Sequence, residues 1–449
     1  MSAATHLFVE AARAVTIAEA VDRLGLEAGL KRAGLGELAG PCPACGGTDR
    51  FAVNTAKNKW NCRGAGGGDD AIGLAAHLGG LDPKRRTDFL AACAAVTGLP
   101  VPDGSEEGAE ARAARERLLA ERRDAATRAA GERERASADF RDREREKARG
   151  KWRAAERWRP GDAVARYLSL RLGGHPLPAL PQLRLIAAEP YWHGADERGQ
   201  PHALHEGPAM VAPFVDADGR VIGCHLTWIA PESSAPPLSF GSASLAGGRA
   251  SYRKGRPILV DSATGQSLPA KKMRGSKKGG LIPLVGWIET QDRIVPDPGR
   301  TRLVIGEGVE NTLAVAIAEA PGPGRARTDT LYAAAGDLGN LAGPADPASG
   351  FAHPTLKDKG GKRALRVQGP VPKPGQGPGE ACQVPDQVTE ILLVADGDSE
   401  PYATMAAMLR AERRLQAPGR SVATAWPPRR GCDFSDLLTG AAPGATEAA

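Results

Sequence analysis

Apolar residues recur at helical spacing near the start of the chain: Phe8, Ala11, Ala12 and Val15, then Ile17, Val21 and Leu24. That 3.6-residue period predicts a short helical lead-in over residues 8 to 33. After Cys62 the run DDAIGLAAHLGGLDPKRRTDFLAACAAVTGL predicts two more short helices, broken at Gly79-Gly80. Residues 1–102 therefore make a small first domain. Over 103–159 the apolar pattern vanishes. From Ser105 to Arg159 the chain is mainly Ala, Arg and Glu, with 17 basic residues against 13 acidic ones. Composition and propensity predict a long solvated helix, a spacer between domains, with Gly131 and Gly150 as interruptions.

From Pro160 the pattern becomes globular again. Two β-rich runs, Met210 to Val215 and Val221 to Ile229, flank Asp216-Ala217-Asp218-Gly219, a hairpin signal. A polar, glycine-rich stretch follows, ending in KKMRGSKKGGLIPL. Residues 160–300 are read as an α+β segment. Then comes a strand–helix–strand series: RLVIGEG, VENTLAVAIAEA and TLYAAAG. Residues 340–389 are crowded with Gly and Pro and read as a long loop or insertion. The pattern resumes with EILLVADGD, the helix YATMAAMLRAERRLQA, the strand SVATAWPP and a closing DFSDLL. Uninterrupted apolar strands alternating with helices predict an α/β fold over 301–440, with a mostly parallel sheet flanked by helices.

Charge adds a partner class. Lys and Arg number 59 against 53 acids, net +6, which favours polyanions such as nucleic acid. Seven cysteines at scattered positions suit a reducing compartment. No signal-peptide pattern and no membrane-length apolar window is seen, so a cytoplasmic protein without membrane contact is expected.

Four groups of residues carry candidate chemistry. Cys42-x2-Cys45 places two thiolates on one turn, and the stretch to Cys62 allows a hairpin that returns to the same point, the logic of a zinc ribbon. Ala65 stands where a second CxxC pair would place its last cysteine. Asp49, Asp69, Asp70, His77 or water could complete the shell. Beside these cysteines, Arg50, Lys57, Lys59, Trp60 and Arg63 mix cations with an aromatic, as single-stranded nucleic acid requires; Trp60 suits the core of a tiny domain equally well. Glu307 lies just past one apolar strand and Asp396-Gly397-Asp398 just past another. Carboxylates at the C-terminal ends of parallel strands share one crevice and could hold Mg²⁺ or Mn²⁺. Asp433 and Asp436 belong either to the same acidic rim or to a helix cap. Lys271, Lys272, Arg274, Lys277 and Lys278, interleaved with glycines, suit phosphate contacts. No P-loop or dinucleotide pattern is present.

The signature CPxCGGxDRF, then WNCRG, then GGxDDAIGL, resembles the zinc domain of bacterial DnaG-type primases over residues 14 to 99. GEGVENTLA and VADGD resemble the Toprim domain of the same enzymes over 301–440, and the chain looks more like the shorter versions found on phages and plasmids. The resemblance implies an α/β architecture: a zinc-ribbon-like N-terminal domain, a charged helix, then a Toprim sheet. It implies template-directed synthesis of short RNA primers on single-stranded DNA from nucleoside triphosphates, in the replication of a phage, plasmid or integrated mobile element. Glu307, Asp396 and Asp398 would then hold the divalent metal, and Cys42, Cys45 and Cys62 a structural zinc ion. A replicative helicase would come from a separate chain. Two further readings stand beside this one: a Toprim-type metal-dependent nuclease, and a non-catalytic zinc- and DNA-binding replication accessory.

Overall fold

The helical period near the N-terminus becomes two helices, α1 (Ala3–Ala14) and α2 (Ile17–Arg23). They are separated by Thr16, whose hydroxyl caps Glu19 N while the Glu19 carboxylate accepts from Thr16 N. This reciprocal box satisfies two otherwise orphaned amides and fixes where α2 begins. The structure, a computed structural model, describes residues 3–34, 36–102, 109–195, 199–230, 252–253, 255–261, 264–358, 361, 363–429 and 431–440. It divides into two compact units, Met1–Asp139 and Phe140–Ala449. Residues 231–251, 254 and 262–263 of the glycine-rich stretch after Ile229 lie outside the described residues. Among those described, no helix is long and apolar enough to cross a membrane.

In the first unit the lead-in ends sooner than its period predicts, because Lys31–Gly34 is a strand, β1. It opens an antiparallel sheet completed in chain order by β2 (Glu37–Cys42), β3 (Gly46–Asn54), β4 (Lys59–Cys62) and β5 (Gly66–Gly68). Helices α3 (Ala71–Leu78) and α4 (Arg86–Thr97) follow. Phe51, Val53, Trp60 and Cys62 from the sheet join Phe8, Ile17, Val21, Leu74 and Val96 from the helices in one buried cluster.

The charged segment is a single helix, α5 (Ala109–Ala154), and it runs through both Gly131 and Gly150. An interior glycine costs about 1 kcal/mol relative to alanine, too little to break a 46-residue helix. Pairs one turn apart, Asp142–Arg145, Glu144–Lys147 and Glu146–Arg149, support its second half. Its last turns are buried in the second unit. Trp152 donates to Gln182 O at 2.9 Å and lies under the Arg184 guanidinium, and Lys151 meets Glu189 at 2.7 Å.

The second unit is built on two five-stranded sheets. In the first, β6 (Glu156–Arg157), β7 (Arg184–Ala195), β8 (Pro201–Val215) and β9 (Val221–Trp228) run antiparallel, with α6 (Ala163–Arg171) between β6 and β7. The predicted hairpin is the β8–β9 turn. Short hairpins β10–β11 (Tyr252–Arg253, Arg256–Pro257) and β12–β13 (Leu259–Val260, Ser267–Leu268) precede β14 (Lys271–Gly275), which pairs with β9 at the sheet's edge. The lysine-rich end of the polar, glycine-rich stretch is therefore partly strand.

The second sheet has β15 (Ile282–Val285) as an antiparallel edge; the hairpin β16–β17 (Trp287–Glu289, Ile294–Pro296) separates it from the rest. Strands β18 (Arg302–Gly306), β19 (Thr330–Ala334), β22 (Glu390–Val394) and β23 (Ser421–Ala425) are mutually parallel in the order β15-β19-β18-β22-β23. Leu303 and Ile305 enter one buried cluster and Val304 another, so both faces are covered, as continuous apolar strands require. Helix α7 (Val309–Ala318) follows β18, α8 (Leu338–Ala342) follows β19, α9 (Pro401–Leu415) follows β22, and α10 (Phe434–Thr439) closes the unit. Residues 340–389 are not all loop: they contain the hairpin β20–β21 (Phe351–Lys357, Ala364–Val367).

Candidate metal centres and the basic strand

Cys42 ends β2, Cys45 lies in the following turn and Cys62 ends β4, so the β2–β3–β4 pairing returns the three sulfurs to one point. The fourth member is His77, in the last turn of α3. Its Nε2 lies 3.2 Å from Cys42 Sγ and 3.9 Å from Cys45 Sγ, and Cys62 Sγ is 3.9 Å from Cys45 Sγ. A tetrahedral zinc ion with ordinary bond lengths needs edges of about 3.5 to 3.8 Å, so the four residues fit it. The other candidates for the fourth place are used elsewhere or lie apart. Asp49 pairs with Arg63 at 3.0 Å, Asp70 caps α3 through Gly73 N, and Asp69 is outside the group.

Protonation favours ligation at His77 and Cys62 and opposes it at Cys45. Burial lowers the His77 pKa and favours the neutral ring that a metal needs. Desolvation, then hydrogen bonding and charge from Cys42 and Cys62, push the Cys45 thiol up to about 11. Cys62 is drawn below the usual thiol range: burial opposes this, but hydrogen bonds led by Gly64 N–H outweigh it. Trp60 is 8 % exposed and stacks on the His77 ring at 5.3 Å and 16°, with its Nε1 donating to Asp70 O. Its place is the core under the sulfurs. Arg50, Lys57, Lys59 and Arg63 are exposed on the same unit.

The acids of the second unit gather at the C-terminal ends of its parallel strands. Asp396, Asp398 and Asp433 each offer an oxygen within 4.8 Å of the others. Glu307 does not belong to that tight group, although it lies near enough for its charge to act on Asp396 and to feel Asp398. Two residues bring Asp433 in. At Gly397 a Cβ would stand 2.3 Å from Cys432 O, so only glycine lets the two loops touch. Asn311 of α7 donates to Ala395 O and accepts from Phe434 N, joining the end of β22 to the start of α10. Asp433 also caps α10 through Asp436 N at 2.6 Å, and Asp436 completes the box. The cap and the acidic rim are thus one structure.

Asp396 Oδ1 is buried without a hydrogen-bond partner, a costly position unless a cation fills it. Burial and then Asp398 push the Asp396 carboxyl up to about 8, with Glu307 and Asp433 adding to the effect. Burial and then Asp337 push Glu307 up to about 7, with Lys271 and Lys277 opposing. A divalent ion would relieve this mutual repulsion, so the donor set fits a hard cation. Asp337, at the end of β19, was not singled out by the sequence; it caps α8 through Asn340 N and pairs with Lys277.

Strand alternation divides the cations of β14, and Lys277 and Lys278 follow the strand. Lys271 and Lys277 reach the acids: Lys271 Nζ is 3.5 Å from Glu310, a buried carboxylate that also accepts from Tyr167 Oη at 2.6 Å. Lys272 turns away, over the Tyr191 ring at 3.7 Å with its ammonium on Trp192 O. Arg274, in the same alternate register, stands by Cys224 and Lys272, and Lys278 is exposed.

Residues 142–256 match the family model of a domain of unknown function, DUF7146. No curated protein matches the chain. Two solved structures are similar at low identity. The zinc-binding and RNA polymerase domains of the Aquifex aeolicus primase share 15 % identity over 98 % of this chain and 83 % of that one, with a TM-score of 0.26. The primase fragment of the bacteriophage T7 primase-helicase protein shares 12 % identity over 90 % of this chain and 94 % of that one, also with a TM-score of 0.26.

Proposed function

We propose that this protein is a primase-type nucleotidyltransferase that makes short RNA primers on single-stranded DNA. The observation that carries the reading is the convergence of Asp396, Asp398 and Asp433 beside Glu307, with Lys271 and Lys277 facing them. Four parallel strands, with Glu307 just past the end of β18 and Asp396 and Asp398 just past that of β22, support a Toprim-type domain. The CPxCGGxDRF signature around a Cys₃His cluster supports a template-reading zinc module. In this reading Asp396, Asp398 and Asp433 hold Mg²⁺ or Mn²⁺, with Glu307 on the same rim, and Cys42, Cys45, Cys62 and His77 hold zinc. The divalent ion supplies charge neutralisation for the triphosphate and acidifies the attacking hydroxyl.

The chain's own groups supply position and charge. Lys271, held by Glu310, whose carboxylate Tyr167 also binds, and Lys277, held by Asp337, present ammonium groups to the phosphates. Arg50, Lys57, Lys59 and Arg63 give the zinc module its cations for the template, while Lys272, Arg274 and Lys278 lie off the acidic site and serve more distant backbone contacts. A separate helicase and a cytoplasmic, mobile-element setting complete the proposal. The test incubates purified protein with single-stranded DNA, labelled nucleoside triphosphates and Mg²⁺ or Mn²⁺, beside an Asp396→Asn, Asp398→Asn variant. Template-dependent oligomers that vanish in the variant are expected. Shortened template would instead indicate a nuclease, and DNA binding without either product an accessory.

A further inference from the structure

The Gly/Pro-rich insertion has no role in the sequence reading, yet the structure ties it closely to α9, the helix that follows the paired aspartates. Along that helix, buried Arg410 donates from Nε to Gly343 O at 2.9 Å and from its guanidinium to Gly369 O. Arg413 donates to Pro370 O at 3.0 Å, and Arg414 to Leu341 O at 2.8 Å and Cys382 O at 3.1 Å. Both ends of the hairpin segment are therefore fastened to α9.

The hairpin itself reaches the other end of the helix. His353 of β20 has a side chain only 2 % exposed. Its Nδ1 accepts from Thr355 N at 3.1 Å and Leu356 N at 2.8 Å, which leaves the ring proton on Nε2. Nε2 donates to Glu400 Oε1 at 2.9 Å. Glu400 is the N-cap of α9, accepting from Tyr402 N at 3.1 Å and Ala403 N at 2.7 Å. The Tyr402 ring meets the imidazole edge-on at 5.0 Å and 74°. Glu400 stands two residues after Asp398 in the chain. The loop from Asp396 to Glu400 is thus anchored at one end by β22 and at the other by a cap that the insertion grips.

We propose that the insertion is a brace for the acid-bearing loop, and that His353 is a positioning residue for the divalent ion held there. The inference rests on the metal reading of Asp396, Asp398 and Asp433. Groups that orient a metal's ligands without touching the ion typically change its affinity about 10- to 100-fold. His353 acts through the cap of α9, one step further out, so about tenfold is expected.

The test titrates Mn²⁺ into the full zinc-loaded protein and follows binding by calorimetry or electron paramagnetic resonance. Wild type is compared with His353→Ala, His353→Gln and Asp396→Asn, and hydrogen exchange is followed over residues 396–404. His353→Ala should weaken Mn²⁺ about tenfold and speed exchange there. His353→Gln, which keeps a donor for Glu400, should recover most of the affinity. Wild-type affinity and exchange in His353→Ala, with binding lost in Asp396→Asn, would overturn the brace and leave the metal reading intact. Equal binding by wild type and Asp396→Asn would overturn the metal reading and the brace with it. Should His353→Ala not fold, Glu400→Gln is read the same way: it keeps an acceptor for the cap but not the carboxylate, and unchanged Mn²⁺ affinity would overturn the brace.

Discussion

His77 Nε2 lies 3.2 Å from Cys42 Sγ, so a helix residue fills the place that Ala65 leaves vacant in the ribbon. The cluster is Cys₃His, and the histidine comes from outside the turn that normally supplies a fourth sulfur. Its ring is held by stacking on Trp60, which explains why that tryptophan is buried between cationic neighbours.

Removal of this ligand should show directly in metal content. His77→Ala is expected to lose most of its zinc and to weaken affinity by at least about tenfold, while His77→Cys retains zinc as a four-sulfur site. Zinc analysis of dialysed protein and thermal melting of the full chain check this. Because neutral imidazole and thiolates are required, affinity should rise with pH, and loading should release protons.

The acids make stability depend on pH in an unusual direction. A carboxyl raised to about 8, as at Asp396, binds more protons in the folded than the unfolded state between about pH 4 and 8. Stability of the Mg²⁺-free protein should therefore fall as pH rises through that window, with Glu307, raised to about 7, adding to the fall. Asp396→Asn should raise the melting temperature at pH 8 and leave it nearly unchanged below pH 4. Melting curves across pH, with and without Mg²⁺, would detect the opposite trend if it exists.

Asp433 and Glu307 should behave differently toward a divalent ion. Asp433 shares the 4.8 Å group and Glu307 does not, so Asp433→Asn should weaken Mn²⁺ binding more than Glu307→Gln does. Asparagine still caps a helix, which keeps α10 in place. Calorimetric titration of the two variants decides the order, and an equal or reversed loss would shift the ion toward Glu307.

Glu310 sits beneath the site with a fully buried carboxylate, held below the usual carboxylate range; burial opposes that, and Lys271, Arg171 and Arg256 outweigh it. Glu310→Ala should destabilise the second unit by about 1 to 3 kcal/mol, since it strands buried Arg171 and half-buried Lys271 and Arg256. Tyr167→Phe should cost about 1.5 to 3 kcal/mol through one charge-assisted hydrogen bond. Urea denaturation measures both, and primer synthesis by Tyr167→Phe would report whether Lys271 needs that support.

Much of this arrangement could be read locally. Apolar periods located α1, α2, α7 and α9, and uninterrupted apolar runs located β18, β19 and β22, because burial leaves a repeating trace in the chain. The β8–β9 hairpin was legible from its Asp/Gly turn. Long-range consequences were not. Gly131 and Gly150 looked like breaks, but the propensity cost of a glycine is small against a long helix. The lysine-rich segment looked like one patch, but strand alternation sends Lys271 and Lys272 to opposite faces. Ile282–Val285 joined a sheet whose other strands begin some twenty residues later.

The chain alone determined which residues could bind metal: three cysteines, and acids placed after apolar strands, since ligand chemistry and strand ends are local properties. Only the tertiary structure chose His77 from four candidates, drew Asp433 rather than Glu307 into the tight acidic group, and set the insertion against α9. Each of those choices depends on a contact between segments distant in sequence, such as Gly397 against Cys432, and no local pattern encodes the distance at which two such segments meet.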